Sequence, residues 1–170
     1  MSDAMVPVIE KHELDAVQNN AGKYLLLFIE KYFQVLSSDP TGQVQNKFTT
    51  EQNILLAFGV MDGEVCNGGF IQLIENGYGS YIFDSPLSDH LRLWGAVQIV
   101  SIIDEARSIY HQKKEILERE KTLEEFAKLY LEHKEFEPIE DQFNTVIDPE
   151  RAIIKQYIKS NISLFAKVAD

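Results

Sequence analysis

Apolar residues recur at helical spacing along most of the chain and at strand spacing almost nowhere. A first amphipathic segment is expected from about Pro7 to Val17, and a second from Lys23 to Leu36 is rich in Leu, Ile, Phe and Tyr. After the loop Ser37-Ser38-Asp39-Pro40-Thr41-Gly42, Thr49 with Gln52 three residues on predicts a capping box opening a helix through Leu55, Leu56 and Phe58. Another helix, with Phe70, Leu73 and Ile74 on one face, ends near Asn76-Gly77. Tyr78 to Asp84 holds glycine and aromatics without a period and reads as an ordered loop whose Tyr78, Tyr81 and Phe83 pack on the core or on a partner. Ser85-Pro86 looks like N-cap and N1, and from Leu91 to Tyr110 apolar residues nearly encircle the helix. Thr122 with Glu125 predicts a second capping box, leading a helix with Leu123, Phe126, Ala127, Tyr130 and Leu131 on one face. Asp148-Pro149-Glu150 predicts the start of the last helix, packed through Ile153, Ile154, Tyr157, Ile158 and Phe165. The expected fold is all-α, a single-domain helical bundle of about seven or eight helices around a buried central helix at about 86–110. Residues 1–45 are expected to supply N-terminal helices packed on the main helical domain, 46–170, with no linker between them.

The most specified stretch runs from Gly63 to Gly77, where Asn67-Gly68-Gly69 interrupts two apolar runs. Two glycines in a helix interior cost roughly 1 kcal/mol each relative to alanine and open positive φ to the backbone, so the chain is expected to turn here. Gln72 and Asn76 lie four apart on the following helix, so both amides can point toward Glu64 across the turn. Two readings of Glu64, Asn67, Gly68, Gly69, Phe70, Gln72 and Asn76 stay open: a buried polar network that sets the angle between two helices, or a small polar pocket.

The chain has 170 residues, an apolar content of 45% and a formal charge of −11, which suits one acidic globular domain. That charge is localised. Six acids (Glu51, Asp62, Glu64, Glu75, Asp84, Asp89) and no base lie between Phe48 and Leu91, and six more (Glu135, Glu137, Glu140, Asp141, Asp148, Glu150) without a base span Glu135 to Glu150. The rest of the chain is nearly neutral. Between them, the run from Lys113 to Lys134 is self-compensating, with Lys114/Glu118, Glu115/Arg119 and Glu124/Lys128 at i,i+4, and is expected to be a solvated helix face. Asp3 near the start and the lack of a basic n-region speak against a secretory leader, and the apolar stretches are interrupted before the ~20 residues of a bilayer span. A soluble, cytoplasmic protein without membrane contact is expected. The one cysteine, Cys66, is expected to be a small buried hydrophobe.

Catalytic and metal signatures are absent from the sequence. His12, His90, His111 and His133 are scattered without ligand spacing, no Cys-x-x-Cys occurs, and no phosphate-binding loop or nucleophile elbow is present. Carboxylate neighbours such as Glu140/Asp141 and Glu124/Glu125 are ordinary on acidic helices. No catalytic residue, no metal and no cofactor is therefore expected, and the protein is read as non-enzymatic. Net negative charge repels phosphate, and Arg151, Lys155 and Lys159 form only a small basic strip, so direct nucleic-acid binding is not expected.

The run Glu64-Val65-Cys66-Asn67-Gly68-Gly69-Phe70-Ile71-Gln72, then Asn76-Gly77, then Leu93-Trp94-Gly95-Ala96 opening a long apolar helix with Ala106, resembles the DNA-mimic protein family over about residues 50 to 168. The resemblance implies an all-helical acidic protein that occupies the DNA-binding surface of a transcription factor and so relieves repression. Mimicry needs surface carboxylates: a DNA strand presents about one charge per 3.4 Å of axis, whereas acids at i,i+4 on a helix come roughly every 6 Å. Several acidic elements must then lie side by side. The candidate partner-binding residues are Asp62, Glu75, Asp84, Asp89, Glu135, Glu137, Glu140 and Asp141, facing a basic DNA-binding protein. Two alternatives remain at this level: an immunity or inhibitor protein using the same carboxylates against a nuclease or toxin, and a small-molecule-binding helical domain with a pocket at Glu64, Asn67 and Gln72.

Overall fold

Val8–Glu10 (β1) is extended, and pairs in parallel with Lys167–Ala169 (β2) in the register Val8↔Lys167, Ile9↔Val168 and Glu10↔Ala169. The expected helix from Pro7 therefore starts later, at Lys11, because Ile9 turns wholly inward while Val8 faces out, and that period of two belongs to a strand. The computed structural model describes residues 6–170, and Asp3 lies outside them. Among the described residues eight α-helices make up nearly all the remaining regular structure, so the fold is all-α.

Helix α1 (Lys11–Val17) opens on a reciprocal cap between Glu10 and Glu13. Asn20 caps α2 (Ala21–Ser37) by accepting the Lys23 N–H at 2.9 Å, and the helix buries Tyr24, Leu25, Phe28, Ile29 and Tyr32 on one stripe. A short 3₁₀ turn at Val44–Lys47 leads to α3 (Thr50–Leu73), opened by the Thr49/Gln52 box as the sequence predicts. Thr49 and Gln52 also donate to the carbonyls of Leu164 and Phe165, which ties this helix start to the chain's end.

Helix α3 is the most deeply buried element, with twelve buried residues against seven in the long helix that follows, so it takes the central place. The stretch Thr50–Phe83 is long and apolar enough to cross a membrane by length and composition. Here it forms core. It is broken at Gly68-Gly69 and again in a π turn, Ile74–Tyr78, where Gly77 has φ of 84°.

Three expectations are corrected between Tyr78 and Tyr110. Gly79–Phe83 is a short helix (α4), not a loop, because the left-handed Gly77 redirects the chain and lets Ile82 and Phe83 pack inward. Pro86, not Ser85, is the N-cap of α5 (Leu87–Leu93). The single helix expected over 86–110 is two, α5 and α6 (Val97–Glu118). Gly95, at φ of 93°, ends α5: its N–H bonds the Arg92 carbonyl and the Ala96 N–H bonds the Leu91 carbonyl, the paired bonds of a Schellman ending. Leu93 and Val97, expected to help encircle the helix, are exposed beside that turn.

Helix α7 (Leu123–Glu132) starts at the predicted Thr122/Glu125 box. Its inward face differs from expectation: Phe126, Leu129 and Tyr130 turn to the core, whereas Leu123, Ala127 and Leu131 are exposed. Of the predicted i,i+4 pairs, Glu124/Lys128 closes at 3.0 Å, while Lys114 turns to Asp84 and Glu118 accepts from Tyr110.

A larger correction concerns α8, which runs unbroken over Glu137–Ser160 with Pro149 inside it. Pro149 removes one rung, but Pro149 and Thr145, whose carbonyl would have received that N–H, are both exposed, so the rung is lost at the surface and not in the core. Glu150, expected in the first turn of the last helix, lies inside α8 and is completely buried. Helices α2, α3 and α6 pack around α8, and Trp94 stacks on Tyr157 with ring centroids 4.9 Å apart.

Candidate functional site

The glycine break in α3 is built by three elements. Gly68 (φ −155°, ψ 17°) and Gly69 (φ 79°, ψ −175°) leave helical geometry, and the helix restarts at Phe70 with an N–H that has lost its carbonyl four residues back. Glu140, from the first turns of α8, accepts that N–H through Oε1 at 2.8 Å. Tyr130, from α7, donates its hydroxyl to the Gly68 carbonyl at 2.9 Å. Glycine is required at position 69 twice over. Its φ is left-handed, and a Cβ there would lie 2.3 Å from Oε1 of Glu140. Phe70 then drops into the core among Phe83, Phe136 and Phe143.

A second network spans the same break from the other side. Oε2 of Glu64 accepts from Gln72 Nε2 at 3.0 Å and from Asn76 Nδ2 at 2.8 Å. Both amides thus point to Glu64, as their spacing predicts. Among the motif residues the structure brings Glu64, Gln72 and Asn76 into one cluster and Gly68, Gly69 and Phe70 into another, while Asn67 is exposed and joins neither. Cys66, expected to be buried, is exposed, because it lies on the outer side of α3 facing Asp62 and Arg151. Partial shielding of its sulfur from solvent and then the nearby Asp62 carboxylate push the thiol pKa up, the reverse of an activated nucleophile.

The eight acidic candidates fall into three kinds. Five are paired within the chain. Asp62 grips Arg151 through two bonds, 2.9 Å to Nε and 2.7 Å to Nη2, and that hydrogen bonding holds the guanidinium pKa above its usual value. Glu75 meets Lys121 at 2.5 Å, where the lysine side chain is only 3% exposed. Asp84 bonds His111 at 2.7 Å and approaches Lys114 at 3.5 Å, and the His111 bond first, then Lys114, holds its carboxyl below the usual range. Asp89 pairs with Arg92 at 3.2 Å on the exposed surface. Glu135 bonds Lys113; burial works against its charge, yet the lysine contact still brings its pKa down.

Glu140 forms a second kind, fastened to backbone. Burial raises its pKa, the Phe70 N–H acts in the opposite sense, and the charges of Glu137 and Asp141 push it up further. Glu137 and Asp141 are the third kind: exposed and without a basic partner among the described residues. The two base-free stretches of sequence therefore touch, at Phe70 and Glu140, but half of their carboxylates are paired with bases from α5, α6, α8 and the α6–α7 connection.

Residues that sequence reasoning missed are the partners. Tyr130, Lys121 and Arg151 each lie 46 or more positions from the group they bind, and the one local signal was that Arg151 stands at i+3 from Asp148, which it also bonds, at 2.7 Å.

Comparison with known proteins places this geometry in a family. A model described as DMP19-like protein matches residues 46–161, which include the glycine break, the Gly95 turn and the whole of α8. The DNA mimic protein DMP19 of Neisseria meningitidis serogroup B is 33% identical over 122 residues, covering 69% of this chain and 72% of that protein. The chain belongs to the DMP19-like protein family.

Proposed function

We propose that this protein is a non-enzymatic DNA mimic that occupies the basic DNA-binding surface of a transcription factor. The observation that carries the reading is the 33% identity, over more than two thirds of both chains, to a protein named as a DNA mimic. The face that meets the partner is centred on the first turns of α8. Glu137 and Asp141 are exposed, lie one helical repeat apart and have no basic partner among the described residues, so they remain free to meet a cation without first breaking an internal pair. Asp62, Glu75, Asp84, Asp89 and Glu135 contribute less, because each must first give up an arginine, lysine or histidine of its own chain. Glu64 with its two amides serves as scaffold across the break in α3, and Glu140 at Gly69-Phe70 fixes the start of α8 against α3. In this reading the protein works in the cytoplasm beside its partner, without binding nucleic acid or membrane.

The test is capture of proteins from host lysate on the immobilised chain, with and without competing duplex DNA, at low and high salt. A DNA-binding protein held at low salt, displaced by duplex and lost from E137K/D141K supports the reading. Retention indifferent to duplex and to that charge reversal overturns it.

A further inference from the structure

Glu140 stands where the glycine break and the acidic edge of α8 meet, and its second oxygen has no assigned task. Oε1 is held by the Phe70 N–H, whereas no donor among the described residues reaches Oε2. The Gly69 backbone lies against the carboxylate so closely that a Cβ there would be 2.3 Å from Oε1 and 3.0 Å from Oε2. Glu137 at i−3 and Asp141 at i+1 bring two uncompensated charges to it. The groups facing it from other elements supply no free cation. Tyr130 of α7 is spent on the Gly68 carbonyl and burial raises its phenol pKa, and Glu75 of the π turn is neutralised by Lys121. On the turn before α8, Glu135 is taken by Lys113, and Lys134 is exposed and makes no ion pair with Glu140. Of three carboxylates on little more than one helical turn, two stand in water near a helix N-terminus that favours their charge, and the third is half-buried. A shared proton in such a group resides on the half-buried member.

We infer that Glu140 is the proton-linked member of the partner face: a cationic side chain arriving at Glu137 and Asp141 drives off, to solvent, the proton that their charges help Glu140 to hold. Binding and deprotonation are then reciprocal, so affinity rises with pH through the Glu140 titration. This rests on the partner face proposed above, and it assigns that face a form of regulation.

The experiment is a carboxyl-carbon NMR titration of Glu140 in the full chain, for wild type and E137Q/D141N, each alone and with a saturating hexa-arginine peptide as probe. The expected result is a wild-type Glu140 midpoint that is moved to lower pH by the double substitution and by the peptide. The peptide should leave the midpoint of E137Q/D141N unmoved. An unmoved Glu140 in the double variant overturns the inference, as does a peptide that shifts the Glu137 and Asp141 signals without moving Glu140. If the double variant moves Glu140 but the peptide does not bind, the coupling stands and the partner face falls.

Discussion

Glu150 accepts a hydrogen bond from the Ile99 N–H at 3.0 Å while its side chain is completely buried. That N–H belongs to the first turn of α6, which the Gly95 turn leaves without a carbonyl partner and whose N-cap residue, Ala96, has no side-chain acceptor. Glu140 does the same for Phe70 after the Gly68-Gly69 break. Helix α8 thus supplies, ten positions apart, the carboxylates that close two of the glycine interruptions, at Gly68-Gly69 and at Gly95. A carboxylate in this position gains from the positive end of the helix as well as from the bond itself.

Removing Glu150 should therefore unfold the protein more readily. Glu150→Ala orphans the Ile99 N–H and opens a space in the core, an expected loss of about 1–3 kcal/mol for the donor alone. Glu150→Gln keeps an acceptor at Oε1 and should lose less. Urea denaturation of both variants checks the order, and equal losses would mean that the contact with Ile99 contributes little.

At Gly69 the expected effect is larger than at Gly77, although both have positive φ. Alanine in the left-handed region costs roughly 1–2 kcal/mol at either site. At Gly77 nothing lies within 4 Å of an added Cβ, while at Gly69 that atom collides with the Glu140 carboxylate. Gly69→Ala should thus lose the strain and the Phe70 contact together, and Gly77→Ala the strain only. Thermal melts of the two variants, compared with wild type, measure the difference.

What was legible in the sequence was local. The boxes at Thr49/Gln52 and Thr122/Glu125, and the convergence of Gln72 and Asn76 on Glu64, depend on offsets of three to twelve residues within one helix or across one turn. Asp148-Pro149-Glu150 misled because a helix start and this helix interior share the same local chemistry. Only the burial of Glu150 against a backbone 51 positions away distinguishes them. The same holds for charge: Asp62 and Arg151 are 89 positions apart, so counting acids along a stretch overstates the negative surface it presents. Gly95 was the exception, a break visible in Trp94-Gly95-Ala96 but hidden by the apolar run around it.

The pH dependence expected from Glu140 runs against the usual direction for a carboxylate. Its folded-state pKa is raised above the ordinary 4.5 by burial and then by Glu137 and Asp141. The folded state therefore holds the proton more tightly than the unfolded one, and this group's contribution falls as pH rises from the unfolded value through the folded one. Asp84 acts oppositely: its pKa is lowered below 3.8 chiefly by the His111 bond, so its contribution is present above the unfolded value and disappears as pH falls through the folded one. Glu140→Gln, which retains an acceptor for Phe70, should remove the loss above pH 4.5 and be at least as stable as wild type at pH 7. Glu140→Ala should be less stable than both. Stability measured across pH 4 to 7 for the three proteins decides the matter, and a Glu140→Gln curve parallel to wild type would exclude the titration.

Ion pairs should matter according to their exposure. Arg151 and Asp62 are 19% and 17% exposed and joined by two bonds, so Arg151→Ala leaves a half-buried carboxylate and is expected to lose about 1–3 kcal/mol. Arg92 bridges Asp89 and Asp104 with its side chain 52% in solvent, and Arg92→Ala should change stability by less than about 1 kcal/mol. Raising salt should narrow the small effect and leave the large one. Denaturant midpoints at two ionic strengths provide the comparison.

Helix α7 offers a direct check on which of its two apolar stripes faces the core. Leu123 and Leu131 are 84% and 71% exposed, whereas Leu129 is 3% exposed. Serine at position 123 or 131 removes little that is shielded from water and should shift stability by no more than about 0.5 kcal/mol. Leu129→Ala removes a packed side chain beside Phe126 and Tyr130, with an expected loss of about 2–5 kcal/mol. Because Tyr130 also holds the Gly68 carbonyl, loosening α7 should be felt at the glycine break. Amide exchange at Phe70 should then quicken in Leu129→Ala and stay unchanged in Leu123→Ser. If the two substitutions had equal effects, α7 would be rotated relative to the arrangement described.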